Sequence, residues 1–281
     1  MSVVDTRGTV RSKRYEIGDH ADGGTPFRDE SGSMRKAWLF TLAFAAAVLL
    51  VMFGCGGSDE SAGDVIDPGD GGDYSVTLDP AEFVEAIDNP WLPLAPGNRW
   101  VYEGREGDEV ERIEVTVTED TRSILGITAT VVRDVVSVDG EVIEDTLDWY
   151  AQDTDGNVWY LGEDSKEFED GQLVGTSGSW ESGVDGALPG IIMRADPQVG
   201  DAYRQEFYEG EAEDLAEIAR TGESVNVPYG AFDDVLVITE WNPLEADVIE
   251  EKLYASGVGV VKEQQVQGGS EVVELVEFTT S

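Results

Sequence analysis

The segment TATVVRDVVSVDGEVIEDTLDWY, residues 128–150, decides the fold of this chain. Residues 128–138 are rich in β-branched side chains, and residues 141–150 alternate between apolar and polar side chains. Both patterns are typical of β-strands. Asp139-Gly140 between them is the dipeptide most typical of a tight type I′ turn. The segment therefore predicts two antiparallel strands joined by a two-residue hairpin loop.

The same pattern recurs along the chain on both sides of this hairpin. Asp155-Gly156 and Asp170-Gly171 are two further turn signals between strand-like segments. Additional strand-like segments cover residues 112–118, 158–160, 202–208, 235–241, 248–254, 260–266 and 271–278. Successive hairpins at this spacing predict a mainly β domain with a curved antiparallel sheet.

Two short helices are predicted to interrupt the strands. The first begins at Asp79, an N-cap residue, with Pro80 at its first helical position. The second covers residues 210–220, where acidic side chains lie near the positive end of the helix dipole. Leu215 and Ile218 are three residues apart there and are expected to face the sheet.

Cys55, the single cysteine, follows a segment with the layout of a bacterial lipoprotein signal. Arg35 and Lys36 precede an apolar run over residues 37–53, and a small residue comes just before the cysteine. Acylation of Cys55 would anchor the protein stably in the membrane with the domain on the extracytoplasmic face. The alternative is a transmembrane helix, because roughly 17 to 25 apolar residues suffice to span a bilayer.

Four regions follow from composition. Residues 1–33 are polar and form either a disordered leader or a stretch before the true start at Met34, and residues 34–54 are the signal peptide. Residues 55–73 are rich in Gly, Asp and Ser, which predicts an acidic tether. Residues 74–281 are predicted to form one β-rich extracytoplasmic domain.

The amino-acid inventory excludes several kinds of chemistry. The only histidine, His20, lies in the leader, so the mature region has no histidine and no free thiol once Cys55 is acylated. Ser-His-Asp and Cys-His catalysis and His/Cys zinc sites are therefore excluded. Residues 55–281 hold 11 Lys or Arg and 53 Asp or Glu, a net charge of −42. Such a surface repels nucleic acid, which we do not expect as a partner.

One segment resembles the start of a calcium loop. Asp153, Asp155 and Gly156 follow the spacing of oxygen ligands and glycine in such loops, and Asn157 is a further candidate ligand. The twelfth position, counted from Asp153, is Asp164 instead of the expected Glu. An Asp-Gly hairpin explains the segment without metal, so calcium remains an alternative, and no other cofactor is predicted.

Aromatic residues recur at strand positions and are the candidates for ligand contact. Trp100 and Tyr102 lie two apart on one strand face, and Trp149 and Trp159 flank the Asp155-Gly156 turn. They predict either an aromatic groove for a sugar or lipid, or packing of the sheet core.

Several segments resemble a family of mainly actinobacterial secreted lipoproteins without an established activity. These are residues 89–102, beginning NPWLPLAPGNRW, residues 148–160, beginning DWYAQD, and residues 254–263, YASGVGVVKE. The resemblance covers roughly residues 78–278 and implies no catalytic residues. The last segment is also similar to envelope lipoproteins with curved sheets, which implies a half-barrel like that of periplasmic lipoprotein carriers.

Three functions are compatible with these observations. The first is a binding or envelope-structural module without catalysis, which predicts a filled interior and an exposed apolar or aromatic patch for an envelope protein partner. The second is a carrier that holds an apolar ligand such as lipid in a cavity between the sheet and the helices. The third is a carboxylate-dependent hydrolase, which requires a cleft with an acid of raised pKa.

Overall fold

The protein was described by a computed structural model, which covers residues 65–69, 74–106 and 109–281. The leader, the signal segment, Cys55 and most of the predicted tether lie outside the described residues. These described ranges form eighteen β-strands and two 3-10 turns. Within them, no helix is long and apolar enough to cross a membrane.

The strands are numbered in chain order. They are β1 Val65–Ile66, β2 Phe83–Val84, β3 Arg99–Glu106, β4 Glu109–Ile124, β5 Ile127–Val138, β6 Glu141–Asp153, β7 Val158–Asp164, β8 Glu167–Glu169, β9 Gln172–Gly175, β10 Trp180–Glu181, β11 Leu188–Met193, β12 Ala202–Arg204, β13 Glu206–Phe207, β14 Leu215–Val227, β15 Gly230–Trp241, β16 Ile249–Ala255, β17 Gly259–Gln267 and β18 Val272–Thr279.

Two antiparallel meanders make up most of the sheet. Strands β3 to β7 form the first and strands β14 to β18 form the second, each strand pairing with the next. Strand β18 pairs with β3 and joins the two meanders along one side. On the other side, β7 pairs with β11, β11 with β13, and β12 with β14. Only Gln205 separates β12 from β13, so the sheet is nearly closed and barrel-like.

The closure goes further than the half-barrel implied by the family resemblance. Strands β11 to β13 bridge the two meanders, and the backbones approach closely there. A Cβ atom on Gly190 would lie 2.2 Å from the carbonyl carbon of Gln205, which only glycine avoids. Strand β1 adds a parallel pair on β12, with Val65 opposite Ala202.

Two of the three predicted hairpin turns are confirmed by their backbone angles. Asp139 and Gly140 have φ of 51° and 85°, and Asp170 and Gly171 have φ of 49° and 72°. Positive φ at both central residues defines a type I′ turn, whose twist matches that of the flanking strands. Asp155-Gly156 differs, because only Gly156 has positive φ, at 98°. Its loop is closed by a hydrogen bond from the Asp153 amide to the Asn157 carbonyl, 2.9 Å.

The prediction of a helix after Asp79 was wrong beyond its first turn. Asp79 does cap the segment, because its Oδ1 accepts a hydrogen bond from the Ala81 amide at 3.0 Å. The turn covers only Pro80–Glu82, after which β2 pairs with the end of β6. The backbone groups that would have continued the helix are thus used by the sheet, as tertiary pairing outweighs a weak local preference.

The prediction of a second helix over residues 210–220 was also wrong. Residues 215–227 form β14, which pairs with β12 and β15. Leu215 and Ile218 are both buried, but an odd spacing places them on opposite faces of a strand. The spacing that suggested one helical face therefore reflects the burial of Leu215 on one face of β14 and of Ile218 on the other.

Apolar side chains cover both faces of the first meander. The larger cluster includes the inward-facing residues Trp100, Tyr102, Leu236, Ile238 and Leu275. A second cluster lies on the outer face of β5 to β7, where Leu78 and Phe83 cover it, and its buried members are Ile124, Ile127, Ala129, Val131, Trp149, Ala151 and Leu161. One end of the interior is thus apolar, and the polar end forms the candidate site.

Candidate functional site

Charged side chains occupy inward-facing positions at one end of the sheet interior. We call this group the interior acidic cluster; it consists of Glu111, Asp134, Asp148, Glu163, Glu206, Asp214, Glu240, Lys252 and Glu263. This set contains eight carboxyl groups and a single ammonium group. Their environment raises the pKa of most of these carboxyls, so the cluster is the most electrostatically unusual part of the described chain.

The register of the sheet explains why these side chains point inward. Directly opposite residues share a face of a sheet, and successive strands place one row of residues on the inner face. That row runs Ile238, Lys252, Glu263, Val273, Gly104 and Glu111. On the facing wall, Asp148 lies opposite Glu163, and Asp134 lies opposite Thr146.

Lys252 is the ammonium group of the cluster. Its Nζ lies 2.7 Å from Oε2 of Glu240 and 3.9 Å from Oε2 of Glu263. The other oxygen of Glu240 accepts a hydrogen bond from Gln205 Nε2 at 3.0 Å. Desolvation opposes the charge on Lys252, but Glu240 and then Glu263 outweigh it and hold its pKa well above the usual range. Lys252 therefore remains charged.

Tyr160 links two carboxyl groups. Its hydroxyl oxygen lies 2.7 Å from Oδ1 of Asp148 and 2.8 Å from Oε2 of Glu163. A phenol has one proton to donate, so one of these carboxyls must be protonated and donate to the phenol oxygen. Desolvation agrees with this, because it raises the pKa of Asp148 to about 7 and that of Glu163 well above its usual range.

Two more carboxyl pairs involve members of the cluster. Glu206 accepts a hydrogen bond from Trp180 Nε1 at 2.8 Å and also hydrogen-bonds to Asp214. Desolvation raises the pKa of Glu206 well above its usual range and that of Asp214 to about 6. Glu111 is hydrogen-bonded to Glu271, and desolvation followed by that bond raises its pKa to about 8. Each pair holds a proton because two buried like charges repel.

Solvent reaches part of the cluster. The side chains of Lys252 and Glu263 are 28% and 36% exposed, although desolvation is the largest influence on the pKa of each. The charges of Glu263 and Lys252, on the second meander, shift the pKa of Asp134 on β5. Residues of the two meanders therefore lie close enough to influence one another electrostatically.

Three buried polar atoms on this inner face have no hydrogen-bond partner among the described residues. They are Oε1 of Glu111, Oδ1 of Asp134 and the hydroxyl of Tyr203. Tyr203 is only 1% exposed, and after desolvation the charge of Glu240 contributes most to raising its pKa. Tyr203 lies opposite Ala216, and Ala216 lies opposite Glu240, so the three side chains share the inner face. Unsatisfied buried polar atoms of this kind are rare and require a cause.

The aromatic residues predicted to contact a ligand do not form one surface. Trp100 and Tyr102 lie inside and donate hydrogen bonds to the carbonyls of Val258 and Val260, at 2.6 and 3.1 Å. Trp149 belongs to the outer cluster, where the Arg122 guanidinium lies 3.9 Å from its ring centroid. The structure thus shows packing roles for these side chains, and a ligand role stays a prediction.

Trp159 and the predicted calcium residues meet in one hairpin. Oδ1 of Asp153 accepts the Asn157 amide at 2.9 Å, and Oδ2 accepts Asn157 Nδ2 at 2.9 Å and Trp159 Nε1 at 2.8 Å. The Asn157 side-chain oxygen accepts the Ala195 amide at 3.0 Å. The side-chain oxygens of Asp153 and Asn157, proposed as calcium ligands, thus already accept hydrogen bonds from N–H donors. In the part of the chain described, Asp155 adds no hydrogen bond to this network. Calcium binding stays a prediction.

Sequence reasoning missed the interior acidic cluster, although a signal was present. Asp134 lies on the same face of its strand as Val132 and Val136, and Lys252 lies on the same face as Tyr254. A charged residue on the buried face of a strand indicates a polar site inside a sheet. The nearly closed topology was needed to see that these positions face one another.

Comparisons with known proteins identify no family for this chain. No family model matches it, and no curated protein matches it. A predicted lipoprotein of Parabacteroides distasonis ATCC 8503 has a similar solved structure, with 13% identity, a TM-score of 0.38, and coverage of 68% of this chain and 99% of that chain. A predicted exported protein of Bacteroides fragilis NCTC 9343 with a YmcC-like fold shows 14% identity, a TM-score of 0.41 and the same coverage. Likeness at this level assigns no activity, and the resemblance to actinobacterial lipoproteins stays a prediction.

Proposed function

We propose that this protein is a lipid-anchored extracytoplasmic binding protein without catalytic activity, and that its ligand occupies the interior acidic cluster. The observation that carries the binding role is the set of three unsatisfied buried atoms, Glu111 Oε1, Asp134 Oδ1 and the Tyr203 hydroxyl. Leaving such atoms unpaired costs about 1 to 3 kcal/mol each. A ligand that supplies their hydrogen bonds accounts for their retention inside the sheet.

The anchoring role rests on the signal layout before Cys55 and on the position of β1. Val65, the first described residue, is ten residues after Cys55 and pairs with the sheet at Ala202. A chain spans at most about 3.6 Å per residue, so the β12 side of the sheet lies within roughly 36 Å of an acylated Cys55. The binding site, whose Tyr203 is on β12, would therefore stay close to the membrane surface.

A carboxylate hydrolase is the second candidate, because it requires an acid of raised pKa and Asp148 has one of about 7. The geometry at this carboxyl argues against hydrolysis. Tyr160 contacts both Asp148 and Glu163, and its ring is only 7% exposed. The phenol thus occupies the position between the two carboxyls where a scissile bond would have to lie.

An apolar carrier is less well supported than the sequence suggested. That function required a cavity between the sheet and two helices, and both predicted helices are replaced by strands or a single 3-10 turn. The apolar end of the interior is filled by side chains such as Leu236, Ile238 and Leu275, each fully buried. We therefore place the ligand at the polar end.

Two experiments test this proposal. Cell fractionation of the wild-type chain and of Cys55→Ala should find the wild type in the membrane with attached acyl chains and the variant without them. Wild-type protein without acyl chains would contradict the anchor. Native mass spectrometry of the detergent-extracted full chain should show a bound small molecule that denaturation releases. A clean apo mass from several growth conditions would contradict binding and favour an envelope-structural module.

A further inference from the structure

The interior acidic cluster has a large excess of negative groups over positive ones. Its eight carboxyls face one ammonium group, and Lys252 directly contacts only Glu240 at hydrogen-bond distance. Desolvation and neighbouring carboxylates raise the pKa of Asp134, and the positive charge of Lys252 offsets this rise only in part. The cluster therefore compensates its charge with protons, which a bound cation would replace.

Asp134 and Tyr203 indicate where such a cation would be held. Asp134 Oδ1 is a buried acceptor without a donor, and the Tyr203 hydroxyl can also accept a hydrogen bond. Ala216 lies between Tyr203 and Glu240 in the sheet, so these three side chains share the inner face. These acceptors belong to different walls of the interior, so a ligand with separated donors suits them better than a point charge.

The arrangement favours an organic ammonium over a metal ion. In the described residues, no group of three or more His, Cys, Asp or Glu side chains converges as metal ligands would. The carboxyls lie in separate pairs that hydrogen-bond to Tyr160, Trp180 or each other. Lys252 shows that an alkylammonium group is accepted here, with its Nζ 2.7 Å from a carboxylate oxygen.

We propose that the interior acidic cluster binds a linear organic polyamine, with Asp134, Glu240 and Tyr203 accepting hydrogen bonds from its ammonium groups. This inference rests on the proposed binding function and names the chemical class of its ligand. Binding brings positive charge next to protonated carboxyls, lowers their pKa and releases protons to solvent. Uptake of the polyamine is therefore coupled to proton release near neutral pH.

Isothermal titration calorimetry of the detergent-extracted full chain tests the inference with spermidine as probe. Titrations at pH 7 and low ionic strength in two zwitterionic buffers of different ionisation enthalpy report both affinity and proton release. We expect saturable binding with protons released. Asp134→Asn and Tyr203→Phe should each weaken it, by about tenfold or more for Asp134→Asn, because a hydrogen bond to a charged donor is lost. Asp120→Asn makes the same chemical change at an exposed position and should leave the affinity unchanged.

The outcomes separate this inference from the binding function itself. No spermidine binding, together with another bound molecule in native mass spectra, overturns the polyamine assignment and leaves the binding function. Absence of any ligand overturns both. If Asp134→Asn and Asp120→Asn weaken spermidine binding equally, the binding reflects only attraction to the acidic surface. If Mg²⁺ binds as tightly as spermidine, the site is a metal site. Either result overturns the inference. Circular dichroism confirms that each variant is folded, and Tyr203→Phe provides a second test if Asp134→Asn is not.

Discussion

Lys252 Nζ lies 2.7 Å from Oε2 of Glu240 inside a sheet that is closed on nearly all sides. An ion pair in such a position gains little stability over apolar packing, but breaking it leaves an uncompensated charge. The pair is surrounded by further carboxyls, among them Glu263, whose pKa desolvation raises to about 7. The interior is thus organised around negative charge and the protons that neutralise it.

Stability should fall as the pH rises from 5 to 8.5. In the folded state desolvation raises the pKa of Asp148 and Glu263 to about 7 and that of Glu111 to about 8. Because these values exceed the unfolded ones, near 4, the stabilisation is complete below about pH 4 and is lost as the pH passes through 7 to 8. We expect Tm to fall by about 5 °C or more across this range.

Thermal unfolding of the wild type and of Asp148→Asn measures this effect. The variant lacks one of the linked carboxyls and should show a shallower fall. Surface carboxylates with lowered pKa, such as Glu114 beside Arg99, act in the opposite direction and only at more acidic pH. A Tm that is constant or rises between pH 5 and 8.5 would show that the interior carboxyls are not protonated in the folded state.

Tyr160→Phe should destabilise the protein in a pH-dependent way. The phenol hydroxyl lies within 2.8 Å of both Asp148 and Glu163, and its loss removes both hydrogen bonds. We expect a loss of about 1 to 3 kcal/mol in urea unfolding at pH 8. At pH 5 the loss should be smaller, because protonated carboxyls can donate to each other. Tyr229→Phe, at a ring that is 43% exposed, is the matched control. Equal losses at both pH values would contradict the shared-proton arrangement.

Gly190→Ala should disrupt closure of the sheet. The new Cβ would lie 2.2 Å from the Gln205 carbonyl carbon and 2.5 Å from the Arg204 carbonyl oxygen, so backbone would have to move. We expect a loss of roughly 3 kcal/mol or failure to fold. Gly230→Ala, where a Cβ meets nothing within 4 Å, should be nearly neutral. Urea unfolding of both variants checks this, and comparable stabilities would show that β11 to β13 are not packed as described.

Arg204→Lys should release the N-terminal segment at residues 65–69. The buried guanidinium donates to the Gly69 carbonyl at 2.9 Å and lies 4.8 Å from the ring centroid of Phe207. A lysine cannot reproduce the planar fork that makes these contacts. Limited proteolysis should cut faster between residues 65 and 74 in the variant, whereas Arg133→Lys at an exposed pair should behave as wild type. Unchanged cleavage in Arg204→Lys would mean that this contact does not hold the segment.

The sequence predicted strands and turns well because their signals are local. Asp139-Gly140 and Asp170-Gly171 require positive φ, and the structure shows it at all four residues. The helix over residues 210–220 was predicted wrongly because Leu215 and Ile218 are buried on two faces, which only the pairing with β12 and β15 reveals. Local pattern does not carry that long-range information.

The candidate site could not be predicted for a related reason. Among 53 acidic residues after position 54, sequence alone does not distinguish exposed from inward-facing carboxyls. Asp134 and Lys252 are far apart in the chain, and they face each other because β18 pairs with β3 and joins the two meanders. The alternation of side chains along a strand gives the face on which each residue lies, whereas closure of the sheet decides which faces meet.

The central claim is that interior carboxyls hold protons at neutral pH. Carboxyl ¹³C NMR of the detergent-extracted full chain, titrated from pH 4 to 9, tests it most directly, with Asp148→Asn assigning one signal. We predict a signal from Asp148 with a midpoint near pH 7, and others from Glu263 and Glu111 near 7 and 8. Titration of every carboxyl below about pH 5, as in exposed side chains, would contradict it.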